Sequence, residues 1–123
     1  FVSPEVVELH TQAATRWCPI SELPKKLAYD HDEMFLVALN RLCGKLSYTT
    51  IAQFLLSREF TLTELQRVYE IIMGTALDKR NFRKRIQELN LIKPSGKKRL
   101  GGAHRPAELF QFKHRKLQYV EVL

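Results

Sequence analysis

A mainly α chain that ends in a small β hairpin, an α+β arrangement, is the fold class this sequence predicts, and three observations predict it. Thr61 stands three residues before Glu64, a capping-box spacing, and opens an apolar stripe at helical intervals. Only Thr75, Ala76 and Leu77 separate the end of that stripe at Gly74 from Asp78, which starts a second helical pattern. After it, two short apolar runs enclose a basic stretch holding Gly101-Gly102, which is the signature of a hairpin with a long loop.

Taken in order, Val6-Val7-Glu8-Leu9 and the stretch around Trp17 read as short strands, and Cys18-Pro19-Ile20-Ser21-Glu22-Leu23-Pro24 carries two prolines that break any helix. Asp30 precedes Glu33 by three, and Phe35, Ala38, Leu39, Leu42 and Leu46 then recur at helical spacing, so a helix is expected from about Asp32 to Lys45 with Gly44 near its end. Thr49 or Thr50 is placed to cap a second short helix through Ile51, Phe54, Leu55 and Leu56. The next helix carries Leu62, Leu65, Val68, Tyr69 and Ile72 on one face, with Gly74 as the left-handed residue beyond its end. Asp78 caps the following helix, Lys79 to Leu89. Leu91-Ile92-Lys93 reads as a strand, Pro94-Ser95-Gly96 as the opening of a turn, and Leu109-Phe110-Gln111-Phe112 as the returning strand.

Charge separates the two halves of the chain. The sequence has 123 residues and a formal net charge of +7. Residues 1–60 hold six basic and seven acidic side chains, whereas residues 61–123 hold fourteen and six, so the whole excess lies in the second half. Such an asymmetry points to a polyanion partner, against the blander reading of a merely solvated surface. Placement decides between them. At about 100° per residue, Phe82, Ile86 and Leu89 fall on one core-facing stripe, and Arg80, Asn81, Lys84 and Gln87 fall opposite. A solvated helix mixes signs at i, i+4, and here Lys84 with Glu88 is the one such pair. Arg and Asn near a helix N-terminus are the types that bond bidentately to guanine and adenine edges in the major groove. Two helices joined by a short turn and followed by a basic hairpin make a winged helix-turn-helix.

Other chemistries find no support. The sequence holds neither G-x-G-x-x-G nor G-x-x-x-x-G-K-[ST], so Gly101-Gly102 is no nucleotide cradle. Cys18 and Cys43 stand apart with no C-x-x-C pair, no metal site is expected, and His10 and Asp30-His31-Asp32 read as surface hydrogen-bonding groups, leaving no catalytic residue. No apolar run reaches the roughly 20 residues of a membrane span. A reducing, cytoplasmic setting is the simplest expectation. Phe1 has neither an initiator Met nor a leader pattern, and the chain reads as the C-terminal piece of a longer protein.

Three blocks carry a family resemblance: Phe60-Thr61-Leu62-Thr63-Glu64-Leu65-Gln66, Leu77-Asp78-Lys79-Arg80-Asn81-Phe82-Arg83-Lys84, and His104-Arg105-Pro106-Ala107-Glu108-Leu109-Phe110-Gln111-Phe112. They resemble the C-terminal winged-helix domain of the Nudix-related transcriptional regulators, NrtR. Upstream, Trp17 and Leu23-Pro24-Lys25-Lys26-Leu27-Ala28-Tyr29-Asp30-His31 look like the end of the family's Nudix-like α/β domain and its linking helix. The resemblance implies two parts: residues 1–46, the strand and helix remnant of the Nudix-like effector domain, and residues 47–123, the DNA-binding winged helix.

It further implies a bacterial repressor of NAD-metabolism genes that senses ADP-ribose or a related metabolite and binds a palindromic operator in double-stranded DNA as a homodimer. No Nudix box (G-x₅-E-x₇-R-E-x-x-E-E) is present, so the effector residues are unknown, no cofactor is expected, and an enzyme is not the expected reading. The alternatives are an ADP-ribose pyrophosphohydrolase with a nucleic-acid-binding appendage, and a regulator of sugar catabolism with a sugar effector. On the main reading Arg80, Asn81 and Lys84 meet base edges. Thr61, Thr63, Lys79, Arg83, Arg85, Lys97, Lys98, Arg99, His104 and Arg105 meet phosphates or a minor groove.

Overall fold

A computed structural model describes residues 17–100 and 105–123. The strand expected at Val6–Leu9, His10, Gly101-Gly102 and His104 lie outside the described residues. The chain divides into two compact units, Phe1–Ala38 and Leu39–Leu123.

In the first unit, the Pro19–Leu23 stretch forms a single 3-10 turn, Ile20–Glu22, closed by the Glu22 amide donating to the Pro19 carbonyl at 3.0 Å. The two prolines permit no more than this turn, and the residues from Trp17 to Pro19 form no strand. Helix α1 spans His31–Tyr48.

The second unit takes in the last turns of α1, the 3-10 segment Ile51–Leu55, α2 (Leu62–Met73), α3 (Lys79–Glu88), and the antiparallel strands β1 (Ile92–Arg99) and β2 (Ala107–Phe112). The end of α1 runs three residues past the expected Lys45 because the chain's C-terminal tail satisfies its otherwise orphaned carbonyls. Val120 and Val122 donate their amides to the carbonyls of Tyr48 and Ser47 at 2.8 and 2.7 Å. Val122 and Leu46 are thereby buried in the same core. Thr50 does not cap the Ile51–Leu55 turn with its side chain. Its hydroxyl oxygen instead accepts from Gln53 Nε2 and from the Gln118 amide, each at 3.0 Å, which pins the tail to this turn.

The local signals of α2 and α3 are realised as read. Thr61 Oγ1 accepts from the Glu64 amide at 3.1 Å while Glu64 Oε2 accepts from the Thr61 amide at 3.0 Å, a complete capping box, and Gly74 closes α2 at φ 68°. Asp78 Oδ1 accepts from the Asn81 amide at 2.8 Å and caps α3. The phase of α3 is as the angles place it: Phe82 and Ile86 are each 3% exposed, and Leu89 packs half-buried beside them. The Phe82 ring meets Tyr69 of α2 at 5.4 Å and 60°, an edge-tilted aromatic pair. That contact sets one helix of the pair on the other. Burial pushes the Tyr69 phenol well above its ordinary range.

The wing departs from expectation. Pro94-Ser95-Gly96 does not open a turn but lies within β1, which continues to Arg99. Register runs Ile92–Phe112, Lys93–Gln111, Pro94–Phe110, then jumps to Lys98–Glu108 and Arg99–Ala107, so two extra residues of β1 bulge out between the paired stretches. Proline has no amide to give the ladder, and Gly96 at φ 83° takes the left-handed conformation a bulge requires. The strand is therefore interrupted by a bulge rather than ended at Gly96. Phe60 closes the base of the sheet by exchanging backbone hydrogen bonds with Phe110 at 3.0 and 2.7 Å, and its ring lies 5.4 Å from that of Phe112.

Candidate nucleic-acid interface

The α2–α3 turn fixes where the outward face of α3 points, and a polar clamp fixes the turn. Glu70 Oε1 accepts from the Leu77 amide at 2.9 Å and from Gln66 Nε2 at 3.0 Å. Gln66 Nε2 also donates to the Leu77 carbonyl at 3.0 Å. Gln66 is buried, so its amide needs these partners. The Leu77 amide, then Gln66, hold the Glu70 carboxyl below the usual carboxylate range, and Arg67 adds to this while desolvation opposes it. Sequence reading assigned this trio no role. The visible signal was the i, i+4 spacing of Gln66 and Glu70; what it could not reveal was that Leu77 folds back onto them.

With α3 so held, Lys79, Arg80, Asn81 and Lys84 are all exposed, with Arg80, Asn81 and Lys84 on the side away from Phe82 and Ile86 and Lys79 on its flank. Lys84 reaches Glu88 at 3.9 Å with both side chains mostly in solvent, a pair worth only about 0.3–0.5 kcal/mol and easily exchanged for another anion. Arg83 lies to the side, half-buried. Its Nη2 donates to Thr63 Oγ1 at 3.3 Å, and its Nε is buried with no hydrogen-bond partner. Thr63 and Arg83 thus join the N-terminal turn of α2 to the flank of α3, as a pair of groups that can share one phosphate.

Two of the residues expected to contact phosphate have other tasks. The Thr61 oxygen is committed to the α2 cap and the side chain is buried, so it positions the helix. Arg85 turns to the C-terminal tail, where Nε donates to the Val122 carbonyl at 3.1 Å and Nη2 to the Glu121 carbonyl at 2.7 Å. Helical angles place a side chain on a flank, but they do not see a tail returning from more than thirty residues away.

On the wing, Lys97, Lys98, Arg99 and Arg105 are exposed. Lys97 pairs with Glu59 at 3.3 Å, and Arg99 forms an ion pair with Glu64, the carboxylate that also completes the α2 capping box. Both pairings were unforeseen, because Glu59 and Glu64 lie more than thirty residues from their partners. They draw β1 toward the start of α2 and leave Lys98 and Arg105 without a carboxylate partner among the described residues. Helix α3 and the wing each expose basic side chains; on α3, Arg80 and Asn81 supply planar, bidentate groups, and the lysines of both supply point charges. No group of three His, Cys, Asp or Glu side chains able to hold a metal occurs among the described residues, and no described helix is long and apolar enough to cross a membrane.

Comparison with known proteins bears on the same region. The model of the NrtR DNA-binding winged helix domain matches residues 52–112. The ADPR responsive transcriptional repressor NtrR of Acinetobacter baylyi is 37% identical over 99 residues, which make up 80% of this chain and 39% of that protein. The crystal structure of Shewanella oneidensis NrtR is 39% identical with a TM-score of 0.61, over 72% of this chain and 39% of that one. The same protein complexed with a 27mer DNA is 38% identical with a TM-score of 0.62, over 72% and 40%. The chain therefore spans about two fifths of the length of the relatives it matches.

Proposed function

The chain belongs to the NrtR family through its winged helix-turn-helix, and from that premise we propose that it is the DNA-binding part of a transcriptional repressor. The observation that carries this reading is the outward face of α3, where exposed Arg80, Asn81 and Lys84 stand beside a basic wing. In this reading α3 enters the major groove, Arg80 and Asn81 bond to base edges, and Lys84 reaches a base or the adjacent phosphate. Lys79, Thr63 and Arg83 hold one strand's backbone, and Lys97, Lys98, Arg99 and Arg105 follow the backbone from the wing, with Lys97 and Arg99 exchanging Glu59 and Glu64 for phosphates. The relative complexed with a 27mer DNA supports DNA as the partner, and a double-stranded operator is the form this reading takes.

The finer assignments rest on the family. A homodimer sets two winged helices on the halves of a palindromic operator, one helical turn or a multiple apart, and a change in their spacing switches binding. ADP-ribose or a related metabolite is the effector, in keeping with the name of the Acinetobacter relative, acting through a Nudix-like domain that precedes the winged helix. Genes of NAD metabolism are the targets, and the cytoplasm is the compartment. The test is a titration of the full-length protein against its own promoter duplex and a scrambled duplex at several salt concentrations, with and without ADP-ribose. Selective binding that ADP-ribose weakens is the expected result. Equal affinity for both duplexes at every salt would overturn the repressor reading, and magnesium-dependent hydrolysis of ADP-ribose without selectivity would favour the enzyme.

A further inference from the structure

A second cluster of cations lies at the base of the wing, and α3 contributes nothing to it. Arg58, Lys93, Lys113 and Arg115 line a cavity of about 170 Å³ whose walls also include Phe60 and Phe112. Lys93 stands directly across the sheet from Gln111, which lines the same cavity, and Lys113 follows two residues on, so β1 and the end of β2 bring their cations to one face. Arg58 arrives from the loop before α2 and Arg115 from the chain beyond β2. Among the described residues none of the four pairs with a carboxylate, and no acid lines the cavity. Lys113 Nζ donates to Asn90 Oδ1, a neutral acceptor that leaves its charge uncompensated.

Four cationic side chains lining one concavity repel each other, and the concave shape concentrates their field. An anion relieves that repulsion. At roughly 30 Å³ for each water in the liquid, the cavity takes the volume of about five or six waters, enough for one tetrahedral oxyanion that keeps part of its hydration. Arg58 and Arg115 offer forked donors suited to paired phosphate oxygens, and the two lysines add point charges. We infer that this cavity is a phosphate-binding site separate from the α3 face. Its phosphate comes either from the backbone of a bound duplex or from a free phosphoryl group; the first source rests on the proposed DNA-binding function, and the second stands without it.

The experiment has two arms, run on the native chain, on Lys93→Gln/Arg115→Gln, and on Lys25→Gln/Lys26→Gln, which removes the same charge elsewhere. In the first arm, inorganic phosphate is titrated against chloride at matched ionic strength while amide NMR shifts are followed. Saturable shifts at Gln53, Ser57 and Gln111, about tenfold weaker in the Lys93/Arg115 variant and unchanged in the other, are expected. In the second arm, duplex affinity is measured against salt. A slope of log K on log salt that falls by about two in the Lys93/Arg115 variant alone assigns the phosphate to DNA, and an unchanged slope with saturable phosphate shifts assigns it to a free group. Phosphate shifts that fail to saturate, combined with equal slope changes in both variants, would overturn the site. A native chain that binds no duplex would instead refute the DNA-binding reading and leave the phosphate result standing.

Discussion

Arg85 offers a sharp test of whether a basic residue on α3 belongs to the fold or to the interface. In the structure its guanidinium makes two hydrogen bonds to the carbonyls of Val122 and Glu121, at 3.1 and 2.7 Å, and Val122 is 1% exposed in the core. A hydrogen bond to a charged group contributes about 1.5–3 kcal/mol when buried. One of these two is exposed, so Arg85→Ala should cost about 2 kcal/mol in total, including some loosening of Val122. With a urea m-value of about 1–2 kcal/mol/M for a domain of this size, the unfolding midpoint should fall by roughly 1–2 M. The same variant should leave the salt slope of duplex binding unchanged, because the side chain is not free to neutralise a phosphate. Urea unfolding followed by circular dichroism reads the first quantity and fluorescence anisotropy at several salts reads the second. A native midpoint with a slope reduced by about one would refute this reading of the tail latch and return Arg85 to the DNA-facing set.

Other outcomes follow from the same geometry. Phe82→Ala removes a ring that is 3% exposed and paired with Tyr69, and should cost about 3–5 kcal/mol, enough to leave most of the winged helix unfolded at 37 °C; an unchanged melting curve would mean the phase of α3 is wrong. Asn81→Ala and Arg80→Ala should each weaken the preferred duplex by roughly 1–3 kcal/mol while scarcely affecting a scrambled one, whereas Lys97→Ala should weaken both alike; equal losses for all three would remove the base-reading role. The Glu70 carboxyl lies below the usual range in the fold, so its stabilisation is complete above about pH 4.3 and is lost as pH falls through the lowered value. Native protein should therefore be more stable than Glu70→Gln at pH 7, the gap narrowing below pH 4, and a gap that ignores pH would show that the clamp does not depend on the charge.

The sequence determined the local architecture by itself. Thr61 and Glu64, Gly74, and Asp78 are each read within four residues of where they act, so the start and end of α2 and the start of α3 were legible without a fold. The phase of α3 was legible for the same reason: a rigid 3.6-residue period carries Phe82 and Ile86 inward and Arg80, Asn81 and Lys84 outward regardless of what they meet. Tertiary structure decided whatever depends on chain returning from a distance. The tail extended α1 to Tyr48 and engaged Arg85; Leu77 closed onto Gln66 and Glu70; Glu59 and Glu64 took partners on the wing; and the bulge at Gly96 turned an expected turn into strand. The physical reason is that caps and helix periodicity are set by the covalent neighbourhood, whereas a guanidinium or carboxylate takes whichever partner the packed chain brings within about 3 Å.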